Sequence, residues 1–215
     1  MGKLDGKVVI ITGGGRGIGY GISTAFAKEG ANLVITGRTL STLEKAKEQL
    51  EKEYGVEVLP VTADGGNEEA VANVIQKAVE KFGKIDTVVN NAQVSKSGIM
   101  LADHTKEDFD LAIYSGLYAT FFYMRAAFPY LKETKGSVIN FASGAGLFGR
   151  LGQSSYAAAK EGIRGMSRVA AAEWGQFGIN VNVVCPLAMT ESLEKWKEAY
   201  PDLYEKTIQG IPLGR

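Results

Sequence analysis

The chain reads as a doubly wound α/β domain built on a parallel sheet, and three observations carry that reading. Short apolar, β-branched runs alternate strictly with longer amphipathic stretches. The short runs are apolar nearly throughout, as parallel strands covered on both faces must be. Finally, 215 residues without a repeat, a low-complexity tract or an interdomain linker match a single domain, 1–215.

The elements follow in order. Strand one is Val8–Thr12, and the helix Gly19–Glu29 follows it through a glycine-rich turn. Asn32–Thr36 is strand two, and Ser41-x-x-Glu44 marks the start of the next helix, which leads through Leu43–Tyr54. Glu57–Val61 is strand three, before the helix Glu68–Phe82. Thr87–Asn90 is strand four, and Thr105-x-x-Asp108 opens the long helix Lys106–Leu131. Ser137–Phe141 is strand five, followed by Ser155–Gly175, and Asn180–Val184 is strand six.

Composition narrows the function classes. With 24 basic and 24 acidic residues, the chain has no charge excess for a nucleic-acid surface or a polybasic membrane anchor. No apolar run approaches the length of a membrane span, and Met1–Gly6 opens no signal or transit peptide, so a cytoplasmic protein is expected. The single cysteine, Cys185, excludes a disulfide within the chain and reads as a buried strand thiol. The sole histidine, His104, reads as a surface or capping residue. One histidine and one cysteine imply no metal site.

In doubly wound sheets ligands bind beyond the carboxyl ends of the strands. Strand one runs into Thr12-Gly-Gly-Gly-Arg-Gly-Ile-Gly19, where Gly13, Gly15, Gly17 and Gly19 permit a tight turn and close backbone approach. The helix that follows, with Arg16 and Ile18 at its entry, offers free N–H groups to a phosphate. Strand two ends at Thr36-Gly-Arg38 without the carboxylate that would bind the ribose hydroxyls of NAD. Arg38 can accept a 2′-phosphate there, with Gly37 leaving room and Arg16 as a second cation, so NADP(H) is preferred over NAD(H). After strand three, the Asp64 carboxylate can accept a bond from the adenine amino group or shape its own turn.

Ser143, Tyr156 and Lys160 stand in the spacing Ser-x12-Tyr-x3-Lys. Tyrosine, with a reference pKa of about 10, needs help to move protons at neutral pH. Helical positions four apart share a face, so the Lys160 ammonium can sit beside the Tyr156 phenol and favour its ionised form.

Together the segments Thr12–Gly19, Asp64, Asn90-Asn91-Ala92, Ser143, Tyr156, Lys160 and Pro186 resemble the short-chain dehydrogenase/reductase family. They occur in the family's order and spread over nearly the whole chain. Within the family, Tyr114–Thr120, Asn140–Gly146 and Val184–Thr190 look like the subgroup of bacterial 12α-hydroxysteroid dehydrogenases acting on bile acids.

The resemblance implies a Rossmann-like fold and hydride transfer between nicotinamide and a secondary alcohol or ketone. Tyr156 would be the proton donor and acceptor. Lys160 would assist it and hold the nicotinamide ribose, and Ser143 would bind the reacting oxygen. Asn91, Ala92 and Pro186 join the cofactor contacts. It further implies a homodimer or homotetramer packed through the helices Lys106–Leu131 and Ser155–Gly175.

Four departures from the family pattern stand out. Gln93 replaces the glycine usual after Asn-Asn-Ala, Gly116 replaces an asparagine in the long helix, and Leu187 follows Pro186 in place of glycine. The chain also reaches Arg215 with six predicted strands and without the family's seventh, which reads as a segment missing from the end. The substrate site is expected between Gly144–Gln153 and a lid of about 187–209. Gln93, Leu147, Phe148, Leu187, Met189 and Trp196 would line it, apolar walls suited to a bulky ketone or alcohol. Two alternatives are a 3-oxoacyl-carrier-protein reductase and a catalytically silent nucleotide-binding protein.

Overall fold

In the computed structural model, which describes residues 2–189, 193–194, 197–198 and 200–211, six strands form one wholly parallel sheet. They are β1 (Val8–Thr12), β2 (Asn32–Gly37), β3 (Val58–Thr62), β4 (Thr87–Asn90), β5 (Ser137–Phe141) and β6 (Asn180–Val184). Their order across the sheet is β3-β2-β1-β4-β5-β6. The chain therefore winds outward twice from the centre, and the topological switch lies between β1 and β4.

Alternate strand residues feed two apolar layers. Ile10, Val34, Val88 and Val138 face α3 (Glu68–Phe82) and α5 (Ala119–Thr134), where Val74, Ile75, Ala127 and Leu131 are buried. Val9, Ile11, Leu33 and Ile35 face α1 (Gly17–Lys28) and α2 (Leu40–Tyr54), against Ala27, Leu43, Ala46 and Leu50. The amino end of β4 is anchored by buried Asp86, which accepts from the Val8 amide and the Lys7 ammonium, both at 2.9 Å, and pairs with Lys84. Burial pushes this carboxyl up. The three donors outweigh it and hold it below the usual carboxylate range.

The expected long helix is helical throughout but not uniform. After α4 (Lys106–Ala112), Ile113–Tyr118 forms a π-helical segment that runs on into α5. Thr105 caps α4 by accepting from the Asp108 amide at 3.1 Å. The Ser41-x-x-Glu44 signal does not start α2, whose N-cap is Thr39. Ser41 instead lies in the first turn of α2, whose Leu43 and Ala46 pack on the sheet. Past β5, Gly144–Phe148 is a helical turn, α6, within the stretch expected to wall the substrate site. The helix α7 (Ser154–Trp174) leads to β6, and α8 (Pro201–Gln209) follows it.

Cys185 is exposed, not buried in a strand. Strand β6 lies at the sheet edge, and its last ladder pair is Phe141 with Val184, one residue short of the thiol. Among the described residues no helix is long and apolar enough to cross a membrane.

Candidate active site

The turn after β1 is shaped by steric exclusion. Gly13 has φ +68°, a left-handed conformation that glycine adopts freely. A Cβ on Gly19 would lie 2.0 Å from the Gly13 carbonyl oxygen, so the first turn of α1 folds back onto the loop only with glycine there. Gly14 is equally constrained, since its Cβ would meet Ile35 Cγ2 at 2.8 Å. Buried Ser23, one turn after Gly19, bonds the carbonyls of Gly14 and Gly19 at 3.0 Å each.

The switch point is tied by Thr12. Its hydroxyl accepts from the Asn91 and Ala92 amides at 3.0 and 2.9 Å, while Asn91 Nδ2 donates to the Thr12 carbonyl at 2.9 Å. No local pattern marks Gly14 or Ser23 for these roles, and Thr12 stands out in the sequence only as the end of strand one and the start of the glycine run. A polar residue closing an apolar strand was the available signal for Thr12.

A groove of about 550 Å³ opens here, beyond the carboxyl ends of the strands. Gly13, Gly15, Arg16, Gly17, Ile18, Gly19, Arg38, Asp64, Asn91 and Ala92 all line it, so ten residues expected at a cofactor do share one surface. Arg16 and Arg38 are exposed, and neither makes an ion pair among the described residues. Asp64 Oδ1 accepts from the Gly66 amide at 3.0 Å, which makes the carboxylate a turn former on an exposed residue. A glycine cradle that side chains would fill, an open trough and two exposed guanidinium groups fit an anionic dinucleotide.

Ser143, two residues past β5, caps α6, its hydroxyl accepting from the Ala145 amide at 3.1 Å. Tyr156 and Lys160 occupy one face of α7, with Lys160 Nζ 5.5 Å from the centre of the Tyr156 ring. Lys160 is 4 % exposed, and Nζ donates to the Phe141 carbonyl at 2.6 Å. That bond pins the face of α7 that carries Tyr156 to the strand end leading into Ser143. Loss of water around the ammonium lowers Lys160 from an ordinary 10.5 to about 8, against an opposing influence of Cys185.

Two polar devices hold α7 in register. Asn90 Nδ2 donates to Asn140 Oδ1 at 2.8 Å, and Asn140 Nδ2 donates to Ser167 Oγ at 2.8 Å, a buried chain from β4 through β5 to α7. His104 meets Ser155 Oγ through Nε2 at 2.9 Å and Ser154 Oγ through Nδ1 at 3.3 Å, at the turn carrying Tyr156. The histidine is half-buried and caps the short 3-10 turn Leu101–Asp103, its amide donating to the Leu101 carbonyl, while Thr105 caps α4.

The expected substrate residues divide. Leu147, Phe148, Leu187 and Met189 are exposed apolar side chains, Phe148 at 81 %. Pro186 is exposed as well, and neither it nor Ser143, Tyr156 or Lys160 lines the groove. Gln93 lines the groove but turns its carboxamide toward Gly116, not into an apolar pocket. Trp196 lies outside the described residues. A second rim went unread in the sequence. The Gly98 amide donates to the Gly152 carbonyl at 2.8 Å, and Ile99 bridges Gln153, bringing exposed Met100, Leu101 and Leu151 to one edge.

A phosphate cradle at the switch point and a lysine-backed tyrosine beyond β5 define a class of nicotinamide-dependent oxidoreductase. The chain belongs to the short-chain dehydrogenase family, whose model matches residues 7–200. It is 64 % identical, over all of its length and 85 % of the relative's, to a 12α-hydroxysteroid dehydrogenase of a Clostridium species. It is 36 % identical to a 3-oxoacyl-[acyl-carrier-protein] reductase of Thermotoga maritima, covering 99 % of this chain and 85 % of that one. Among solved structures, a levodione reductase superposes with a TM-score of 0.91 at 32 % identity, covering 99 % of this chain and 86 % of that chain. An NAD+-bound xylitol dehydrogenase gives 0.92 at 26 %, covering 99 % and 87 %.

Proposed function

We propose that the protein interconverts a secondary alcohol and a ketone with NADP(H), and that its substrate is a bulky apolar hydroxysteroid of the bile-acid type. The observation that carries the chemistry is the buried Lys160 ammonium beside the Tyr156 ring, in a chain whose switch-point groove is lined by Arg16 and Arg38. The likeness to a 12α-hydroxysteroid dehydrogenase carries the substrate class. The exposed apolar residues Met100, Leu101, Phe148 and Leu151 support it, since an apolar rim suits a steroid face better than a sugar.

The amides of Gly13–Gly19 would hold the pyrophosphate, Arg16 and Arg38 the 2′-phosphate, and Asp64 the adenine amino group. Asn91, Ala92 and Pro186 would flank the nicotinamide end. When bound, the cofactor supplies or accepts the hydride. Ser143 orients the substrate oxygen and stabilises its developing charge. Tyr156 delivers a proton to that oxygen in reduction and removes it in oxidation. Lys160 stabilises the phenolate left behind and holds the nicotinamide ribose. Leu147, Phe148, Leu187, Met189 and Trp196 would enclose the substrate, with the lid of about 187–209 above it.

We further propose a cytoplasmic homodimer or homotetramer. Exposed Tyr114, Tyr118 and Phe121 on the π-helical segment and α5, and Val169 on α7, supply an apolar face for pairing. The reading as a carrier-protein reductase needs basic surface on α7, where Arg164 is already paired with Glu161.

A spectrophotometric screen at 340 nm, with NADPH and NADH against bile-acid ketones and acetoacetyl thioesters, tests the reading. Turnover with the ketones and NADPH is expected, falling about 10²- to 10⁴-fold in Tyr156→Phe. Turnover that survives this substitution overturns the mechanism. Turnover with thioesters alone overturns the steroid assignment, and dinucleotide binding without any turnover points to a silent binding protein.

A further inference from the structure

Two departures from the family pattern are one structural event. Gly116 is buried in the π-helical segment, and a Cβ there would lie 2.6 to 2.9 Å from Cδ, Nε2 and Oε1 of Gln93. The whole Gln93 carboxamide therefore stands where a side chain at 116 would begin. Its Nε2 donates to the Ala112 carbonyl at 3.4 Å, at the junction where α4 passes into the π register.

The neighbouring residue is clamped to the same helix. Ser115 Oγ bonds the Val94 carbonyl at 2.8 Å and the Leu111 carbonyl at 2.6 Å, and the Val94 amide approaches Ser115 Oγ at 3.1 Å. Residues 93 and 94 are thus fastened to the π-helical segment by side chains from both partners, directly after Asn91 and Ala92, which Thr12 fixes to β1. Gln93, Val94 and Ser115 all line the groove. Stability alone is a poor reason for this glutamine, because its buried Oε1 meets no donor among the described residues.

We propose that Gln93 is a positioning residue, a carboxamide supplied from the β4 loop in place of one from the helix, and that with Gly116 and Ser115 it sets the groove wall beside the nicotinamide end. The proposal rests on the cofactor reading above. It makes positions 93 and 116 interdependent: a side chain at 116 must drive Gln93 into the groove, and is harmless once Gln93 is gone.

A double-mutant cycle tests it, with Gly116→Asn, Gln93→Gly and the two combined. NADPH dissociation constants are read by fluorescence titration at 25 °C, and thermal midpoints are measured in parallel. Gly116→Asn alone is expected to weaken NADPH binding about tenfold or more, and the double variant to return within about threefold of the parent. If Gly116→Asn alone does not fold, recovery of folding and binding in the double variant is the same result. A merely structural pair would shift midpoints and leave the dissociation constants unmoved, and that outcome overturns the proposal. Binding losses that multiply in the double variant overturn it too, as does parental affinity in Gly116→Asn. A parent that binds no dinucleotide overturns the cofactor reading and this proposal together.

Discussion

Lys160 carries opposed requirements, because the position that brings its ammonium to Tyr156 also removes it from water. Its folded value of about 8 lies below the ordinary 10.5, so between those limits the unfolded chain binds the extra proton. Stability therefore rises with pH across that window, and the buried cation weighs against the fold below it. Relative to Lys160→Met, the parent should gain on the order of 2 kcal/mol, a few °C in Tm, between pH 7.5 and 9.5. Melting curves of both proteins check this, and parallel curves would remove the buried charge from the account. Arg38 poses a simpler test. If it holds a 2′-phosphate, Arg38→Asp should lower NADPH affinity roughly ten- to a hundredfold, the value of one charge-assisted bond, and spare NADH. The spacing of Tyr156 and Lys160 was legible because helix geometry is local. The burial of Lys160 against Phe141 was not, since strand and helix meet only in the fold.

At the level of elements, the glycine turn is the part most completely written in the sequence. Gly13, Gly17 and Gly19 announce a sharp strand-to-helix reversal, and the structure supplies the distances. Gly19→Ala would drive a methyl group into the Gly13 carbonyl, a backbone contact that no side-chain rotation relieves. Loss of about 2–4 kcal/mol in urea unfolding and at least tenfold weaker dinucleotide binding are expected. Unchanged binding would show that the turn is not the phosphate cradle. The long helix shows the opposite case. Its apolar periodicity foretold Lys106–Leu131 as one helix, yet the register slips to π between Ile113 and Tyr118. Nothing local demands the slip. It becomes intelligible beside Gln93, Ser115 and Gly116, whose contacts cross 21 to 23 residues of chain.

For the whole molecule, the strand order places the carboxyl ends of β1 and β4 side by side, and the groove is a consequence of that reversal. The same topology directs Tyr114, Tyr118 and Phe121 outward on one helical surface. If that surface pairs subunits, Phe121→Glu should convert the dimer or tetramer to a smaller species in light scattering, with a lower Tm, because a carboxylate would be buried at the contact. An unchanged mass would place the interface elsewhere.

By itself the sequence determined the alternation of six strands with their helices, the glycine cradle and the Ser143–Tyr156–Lys160 spacing. Each is a local pattern, set by period, turn chemistry or helical repeat. Only the tertiary structure decided that Lys160 is buried, that Asn90, Asn140 and Ser167 form one polar chain, that His104 braces the helix of Tyr156, and that Gln93 occupies the space conceded by Gly116. These are matters of desolvation and excluded volume between distant segments, and they take a value only when packing brings the segments together.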